Sequence, residues 1–301
     1  MLWIPITIAA AALQTARNAF QRSLTGALSP LGATYTRFLF GFPFAALYAA
    51  AVLVASDTPL PTPPTAFFGW VALGGVAQIL GTAFLLRLFQ LSNFGTGIAF
   101  SKSEILQAAL FGMLVLGDRV SAPAALAIAV ATFGLLLLAR GAAAHPAARS
   151  LAGLPMLLGL GTGGAFAIAA VAFRAASLSL REPSFVTAAA LTLAASTGLQ
   201  SLLMTLYLRV REPGQISAVV RVWRLSLLPG LSGAAASACW FSAMTLEIAA
   251  YVRMLGLVEV LFGFGVSTLG LRERPSGREL AGSALLVVAI VALLWDRAAA
   301  A

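Results

Sequence analysis

Cysteine, histidine and charge are all scarce in this 301-residue chain: one Cys, one His, and charged residues at 10% of the total. A lone Cys239 excludes an intrachain disulfide. His145 has no Cys, His or carboxylate cluster with which to complete a metal site. GxSxG, HExxH and P-loop patterns are absent, and "GTGGAF" (161–166) lacks the preceding strand and the Lys that a phosphate cradle needs. Hydrolytic, metal-assisted and ATP-driven chemistry therefore lose their candidate residues, and no cofactor is indicated. The shortage of charge also excludes a water-soluble domain, in which about a quarter of residues are charged.

What is present is apolar. Hydrophobic residues make up 60% of the chain, and the mean hydropathy is +0.95. Runs of about 20 apolar residues, the length that crosses a bilayer as a helix, can be counted along it. There are ten, over 2–22, 30–55, 66–90, 95–117, 121–140, 151–176, 184–208, 225–246, 249–270 and 276–296. The expected fold is all-α and integral to the membrane. Between the runs, "SDTPLPTPPT" (56–65) denies the backbone its helical donors, and Pro30 and Pro183 stand where new helices begin. "RVREPGQISAVVRVWR" (209–224) is the longest polar connection. The first run lacks a basic start and is followed by Gln14, Arg17 and Asn18, which reads as a first helix with a polar inner face rather than a secretory leader.

An internal repeat organises these runs. A shift of 155 residues sets Glu104 on Glu259, Asp118-Arg119 on Glu273-Arg274, and Ser121 on Ser276, aligning "EILQAALFGMLVLGDRVS" with "EVLFGFGVSTLGLRERPS". Upstream, "AFQRSLTGALSP" (19–30) matches "AFRAASLSLREP" (172–183) at a slightly different offset. The chain thus reads as a five-helix repeat over 1–140, a linker over 141–150 and a second five-helix repeat over 151–301. Because five is odd, the second repeat enters the membrane inverted, the arrangement that builds alternating-access transporters around a midplane site.

Two halves, each carrying Glu in an apolar helix, then an acidic-Arg pair, then a last apolar helix, resemble the drug/metabolite transporter superfamily, and within it the ten-helix EamA-type exporters. The residues that carry the resemblance are Glu104, Gly117, Asp118, Arg119, Glu259, Glu273 and Arg274. Family members commonly have Pro after the intramembrane Glu, where Ile105 and Val260 stand here, and Arg272 replaces the second Gly. The similarity to bacterial exporters of aromatic and other amino acids implies ten helices around a central cavity, in the inner membrane of a bacterial-type cell. A wide apolar interior with sparse charges of both signs suits a zwitterion with an apolar side chain. A multidrug exporter would share the architecture.

The candidate substrate-cavity residues are Lys102, Glu104, Glu259, Gln78, Gln14, Trp240, Tyr251 and Arg253. On a continuous helix, Gly97, Ser101, Glu104, Ala108 and Gly112 share one face, and Val252, Gly256, Glu259, Gly263 and Ser267 share the matched one. Each Glu then lies on a stripe of small residues where another helix can approach. A charge at mid-membrane costs about 2.5–3.5 kcal/mol, so each carboxylate needs a partner: a backbone donor, a polar side chain or a cavity. Pinning of each half and handling of protons or substrate both fit. Lys102 is about 200° around the helix from Glu104, and its repeat counterpart is Leu257, so scaffold symmetry does not demand it. It reads as the partner of a substrate carboxylate or of an acidic side chain on another helix. Glu247 joins the polar candidates, Arg17 and Arg87 read as snorkelling side chains near helix ends, and Trp3, Trp70, Trp223 and Trp295 as interface anchors.

The net charge of +9 has no soluble basic face on which to bind nucleic acid. It bears on orientation instead. The side with Arg22, Arg140, Arg149, Arg209, Arg211, Arg221, Arg224, Arg272, Arg274 and Arg278 outweighs the side with Arg119, Arg174, Arg181 and Arg297. The positive-inside rule therefore places both termini outside, whereas the resemblance implies termini inside.

Overall fold

A computed structural model describes residues 1–24, 28–57, 59–91, 101–142, 153–182, 184–265 and 276–299. The regular structure among them is helical. In chain order the helices are α1 (Trp3–Leu24), α2 (Pro30–Ala55), α3 (Thr65–Leu91), α4 (Glu104–Leu116), α5 (Ala122–Ala142), α6 (Leu154–Ser179), α7 (Phe185–Arg211), α8 (Gln215–Arg221), α9 (Trp223–Leu246), α10 (Ala249–Leu255), α11 (Val258–Gly265) and α12 (Gly277–Ala299). Six of them, α2, α3, α6, α7, α9 and α12, are long and apolar enough to cross a membrane. The chain is thus a multi-pass membrane protein by the length and composition of its helices.

Local chemistry sets the helix ends. Ser29 precedes Pro30 and its Oγ accepts the Gly32 N–H at 3.0 Å, so a side-chain cap and a pre-set φ start α2 together. Ser184 Oγ accepts from the Thr187 N–H in the same way at the start of α7. The repeat-matched Ser121 and Ser276 both cap the helix that follows: Ser121 Oγ accepts the Ala124 N–H, and Ser276 forms a reciprocal capping box with Glu279. Gly117, at φ 69°, ends α4 in the left-handed conformation that a side chain disfavours, and Asp118 N–H donates back to Gly112 O at 3.1 Å. The Gly-Asp segment of the family-like motif is therefore a helix stop. Its counterpart, Arg272 to Arg274, lies outside the described residues, as do His145 and Pro183.

Three expectations need correction. The run 249–270 is not one helix: α10 and α11 are separated at Gly256 and Leu257, and residues 266–275 lie outside the described ones. In the run 95–117, α4 starts only at Glu104, after a turn at Lys102 and Ser103, with 92–100 outside the description. The polar connection 209–224 contains a helix, α8, whose Val219 is buried in a cluster with Leu24, Tyr35, Phe38, Met204 and Leu208.

The described chain forms two compact units that cut across the sequence repeat. Unit 1 joins Met1–Ile79 to Ala172–Glu247; unit 2 joins Leu80–Val171 to Ile248–Ala301. Within unit 1, α1 and α2 pack on α9, and α2 also packs on α7. Within unit 2, α5 packs on α12 and α4 on α10. Small residues make the close approaches. A Cβ on Gly282 would stand 2.7 Å from Gly134 O, and one on Gly230 would stand 2.8 Å from the Phe40 carbonyl carbon. Large apolar side chains such as Val54, Leu114 and Leu157 face outward instead, as expected where the surroundings are lipid.

Candidate functional site: ion pairs at two tightened turns

The two repeat-matched glutamates sit just after matched irregularities in the backbone. At the first, Ile105 N–H donates to Lys102 O at 3.2 Å; at the second, Val260 N–H donates to Leu257 O at 2.9 Å, and Glu259 N–H to Gly256 O at 3.1 Å. Each bond spans three residues instead of four, so the chain tightens into a 3₁₀-like turn at the same repeat position in both halves. Glu104 and Glu259 then fall in the first turns of α4 and α11, where a helix dipole favours negative charge.

The first turn is seated against α6 by its glycines. A Cβ on Gly163 would collide with Ser103 Oγ and stand 2.8 Å from Glu104 N, and one on Gly164 would stand 2.7 Å from Gln107 Oε1. Gln107 Nε2 donates to Ser103 Oγ at 3.0 Å and to Leu160 O at 3.3 Å, tying the turn to the same helix. The glycine-rich "GTGGAF" is thus a seat for the backbone around Glu104.

Each carboxylate meets a cation from the other half of the sequence. Arg253 Nε approaches Glu104 Oε1 at 3.0 Å, with side chains 15% and 8% exposed. This is an ion pair by distance; the N–H is not aligned as a hydrogen bond between the two atoms. Lys102 Nζ lies 3.9 Å from Glu259 Oε2, with side chains 20% and 18% exposed. Their apolar neighbours in sequence, Ile105, Val252, Met254, Leu255 and Leu257, are buried. Of the two roles open to Lys102, the acidic side chain of another helix is the one found. Lys102 is also the chain's sole lysine, since every other basic side chain is arginine. On the stripes, Ser101, Glu104, Ala108 and Gly112 are buried despite the turn at Lys102 and Ser103, whereas Gly97 and Ser267 lie outside the described residues.

Tyr251, on α10 with Arg253, is 1% exposed. Its hydroxyl accepts the Ser121 N–H at 3.1 Å, and the Arg297 guanidinium stacks over its ring at 5.4 Å. Ser121 Oγ donates to Asp296 Oδ2 at 2.6 Å, fixing the start of α5 to the end of α12. In the sequence Ser121 stands out only as a repeat match and Arg297 only as a charge that bears on orientation, and Asp296 not at all, because all three sit at run ends, where polar residues are ordinary.

The remaining candidates, Gln14, Gln78 and Trp240, lie in unit 1 and hydrogen-bond to neutral partners. Trp240 Nε1 donates to Gln14 Oε1 at 3.0 Å. Gln200 Nε2 donates to Gln78 Oε1 at 2.7 Å and to Gly75 O at 3.3 Å, so Gln78 has the interhelical partner its central position calls for. Gln200, buried and polar in an apolar run, was the signal to look for. Arg174 Nε donates to the backbone oxygen of Glu247 at 3.2 Å. Arg17 does not snorkel: it is buried, with its Nη2 donating to Asn18 Oδ1 at 2.7 Å and its chain against Gly233. Trp3 is likewise buried, whereas Trp223 and Trp295 are exposed.

No family model matches the chain, and no curated protein matches it. Solved structures do, in 28 chains. One of them, described only as "Crystal structure of protein", superposes with a TM-score of 0.67 at 19% identity, over 97% of this chain and 95% of its own. At that identity the likeness concerns the fold alone.

Proposed function

We propose that this chain is a secondary transporter of the drug/metabolite type that exports amino acids, aromatic and others, by alternating access of two inverted five-helix repeats. The observation that carries the reading is the ion-pair cluster at the matched turns. Neutral hydrogen bonds such as Gln14–Trp240 and Gln78–Gln200 suffice to join helices in lipid, whereas the four charges gathered at the matched turns each carry an insertion cost of about 2.5–3.5 kcal/mol before pairing. Interrupted helices bearing such groups at corresponding positions of two repeats are where transporters place substrate and coupling ions. Charges of both signs with apolar neighbours match a zwitterion with an apolar side chain.

The test is counterflow of an amino-acid panel in liposomes holding the purified protein, with and without a pH gradient. Saturable counterflow of phenylalanine and leucine is expected. Transport of lipophilic cations with no amino-acid counterflow would move the chain to the multidrug exporters, and no saturable flux of either would refute transport. Orientation has its own measurement. With the Arg-rich connection 209–224 on the cytoplasmic side, cysteines placed there in a Cys239→Ala background should resist impermeant thiol reagents in whole cells. Ready labelling would reverse the assignment.

A further inference from the structure

The two ion pairs are unequal. Glu104 and Arg253 stand at 3.0 Å with the carboxylate side chain 8% exposed, whereas Lys102 and Glu259 stand at 3.9 Å with both partners near one-fifth exposed. Both members of the looser pair sit in the tightened turns, Lys102 opening the first and Glu259 lying within the second. A shift of either turn therefore moves a charged side chain directly.

The sole lysine stands in this looser pair. Arginine would present a rigid fork that suits a fixed bidentate partner, whereas an ammonium is a compact point charge with three rotatable donors. Lys102 is thus the cation better able to change partners.

We propose that the Lys102–Glu259 pair is the zwitterion port: it opens so that Lys102 Nζ takes the substrate carboxylate and Glu259 takes the substrate ammonium, while Glu104–Arg253 stays closed. This rests on the transport reading above. Charge balance supplies the specificity. An opened pair holding a zwitterion still contains two cations and two anions, each opposite its complement, so no ion is left unpaired in an apolar setting. A ligand with only one charge breaks the Lys102–Glu259 pair while replacing only one of its two ionic contacts. The port should therefore reject an amine and a carboxylate that share the same side chain.

Because Lys102 is the sole lysine, reductive ¹³C-dimethylation of the full-length protein keeps its charge and gives one lysine NMR signal, distinct from the α-amine. Phenylalanine should shift that signal saturably; 2-phenylethylamine and 3-phenylpropanoate should not. Lys102→Met/Glu259→Leu, which replaces both charges by apolar groups, should keep the parent's unfolding midpoint and lower phenylalanine counterflow by at least about tenfold. Parent counterflow that persists unchanged in the double variant overturns the port alone. So does phenylalanine binding that leaves the dimethyl-lysine signal in place, a result obtained on the parent sequence and independent of whether the variant folds. Absence of phenylalanine counterflow by the parent overturns the transport reading, and the port with it.

Discussion

Units 1 and 2 solve one problem in two ways. Each carries polar side chains inside apolar helices, but unit 1 joins Gln14 to Trp240 and Gln78 to Gln200 by neutral hydrogen bonds, whereas unit 2 joins Lys102 to Glu259 and Glu104 to Arg253 by charge. Neutral pairs in lipid hold helices together cheaply, because losing one leaves a dipole to satisfy. Ion pairs hold by mutual dependence, because losing one partner strands a full charge. The charged pairs also stand where the backbone tightens, and the neutral ones lie within long continuous helices. A change of partners at the ion pairs of unit 2 therefore alters the fold's charge balance, and one at the two neutral pairs of unit 1 does not.

The contrast is tested hardest at Arg253. Arg253→Met strands the Glu104 carboxylate at 8% exposure and should cost about 3–5 kcal/mol, measured by denaturant titration in mixed micelles. Adding Glu104→Leu should recover most of that loss. A single variant as stable as the parent would remove the distinction between the units.

The next effect is steric. Gly163→Ala pushes a Cβ towards Glu104 N, and Gly282→Ala pushes one onto Gly134 O, both backbone atoms that side-chain rotation does not move away. Each should cost about 1–3 kcal/mol. Gly163→Ala should also depress transport beyond its effect on stability, since it displaces the turn that holds Lys102; equal depression by both variants would detach the turn from function.

The smallest effects belong to unit 1. Gln78→Leu and Trp240→Phe each remove one neutral interhelical bond and should cost about 0.6 kcal/mol, with a double-mutant cycle on Gln78 and Gln200 giving a coupling of similar size. Losses as large as that of Arg253→Met would place these groups in the same class as the ion pairs.

Sequence alone determined the helical content, the lipid-compatible composition and most element starts, because caps such as Ser29 before Pro30 and Ser276 with Glu279 act within one turn and need no distant partner. The repeat marked Glu104 and Glu259 as equivalent, since like sequences take like local conformations. The tightened turns themselves were not legible: a wheel assumes a continuous helix, and no Pro stands at either turn to signal otherwise. Only the tertiary structure decided that Arg253 serves Glu104 and Lys102 serves Glu259, that Arg17 is buried, and that compact units draw on both repeats. Those outcomes depend on which helices pack together. An apolar helix is equally content against any small-residue surface in lipid, so packing is settled by complementary charge and glycine-sized gaps between residues far apart in the chain.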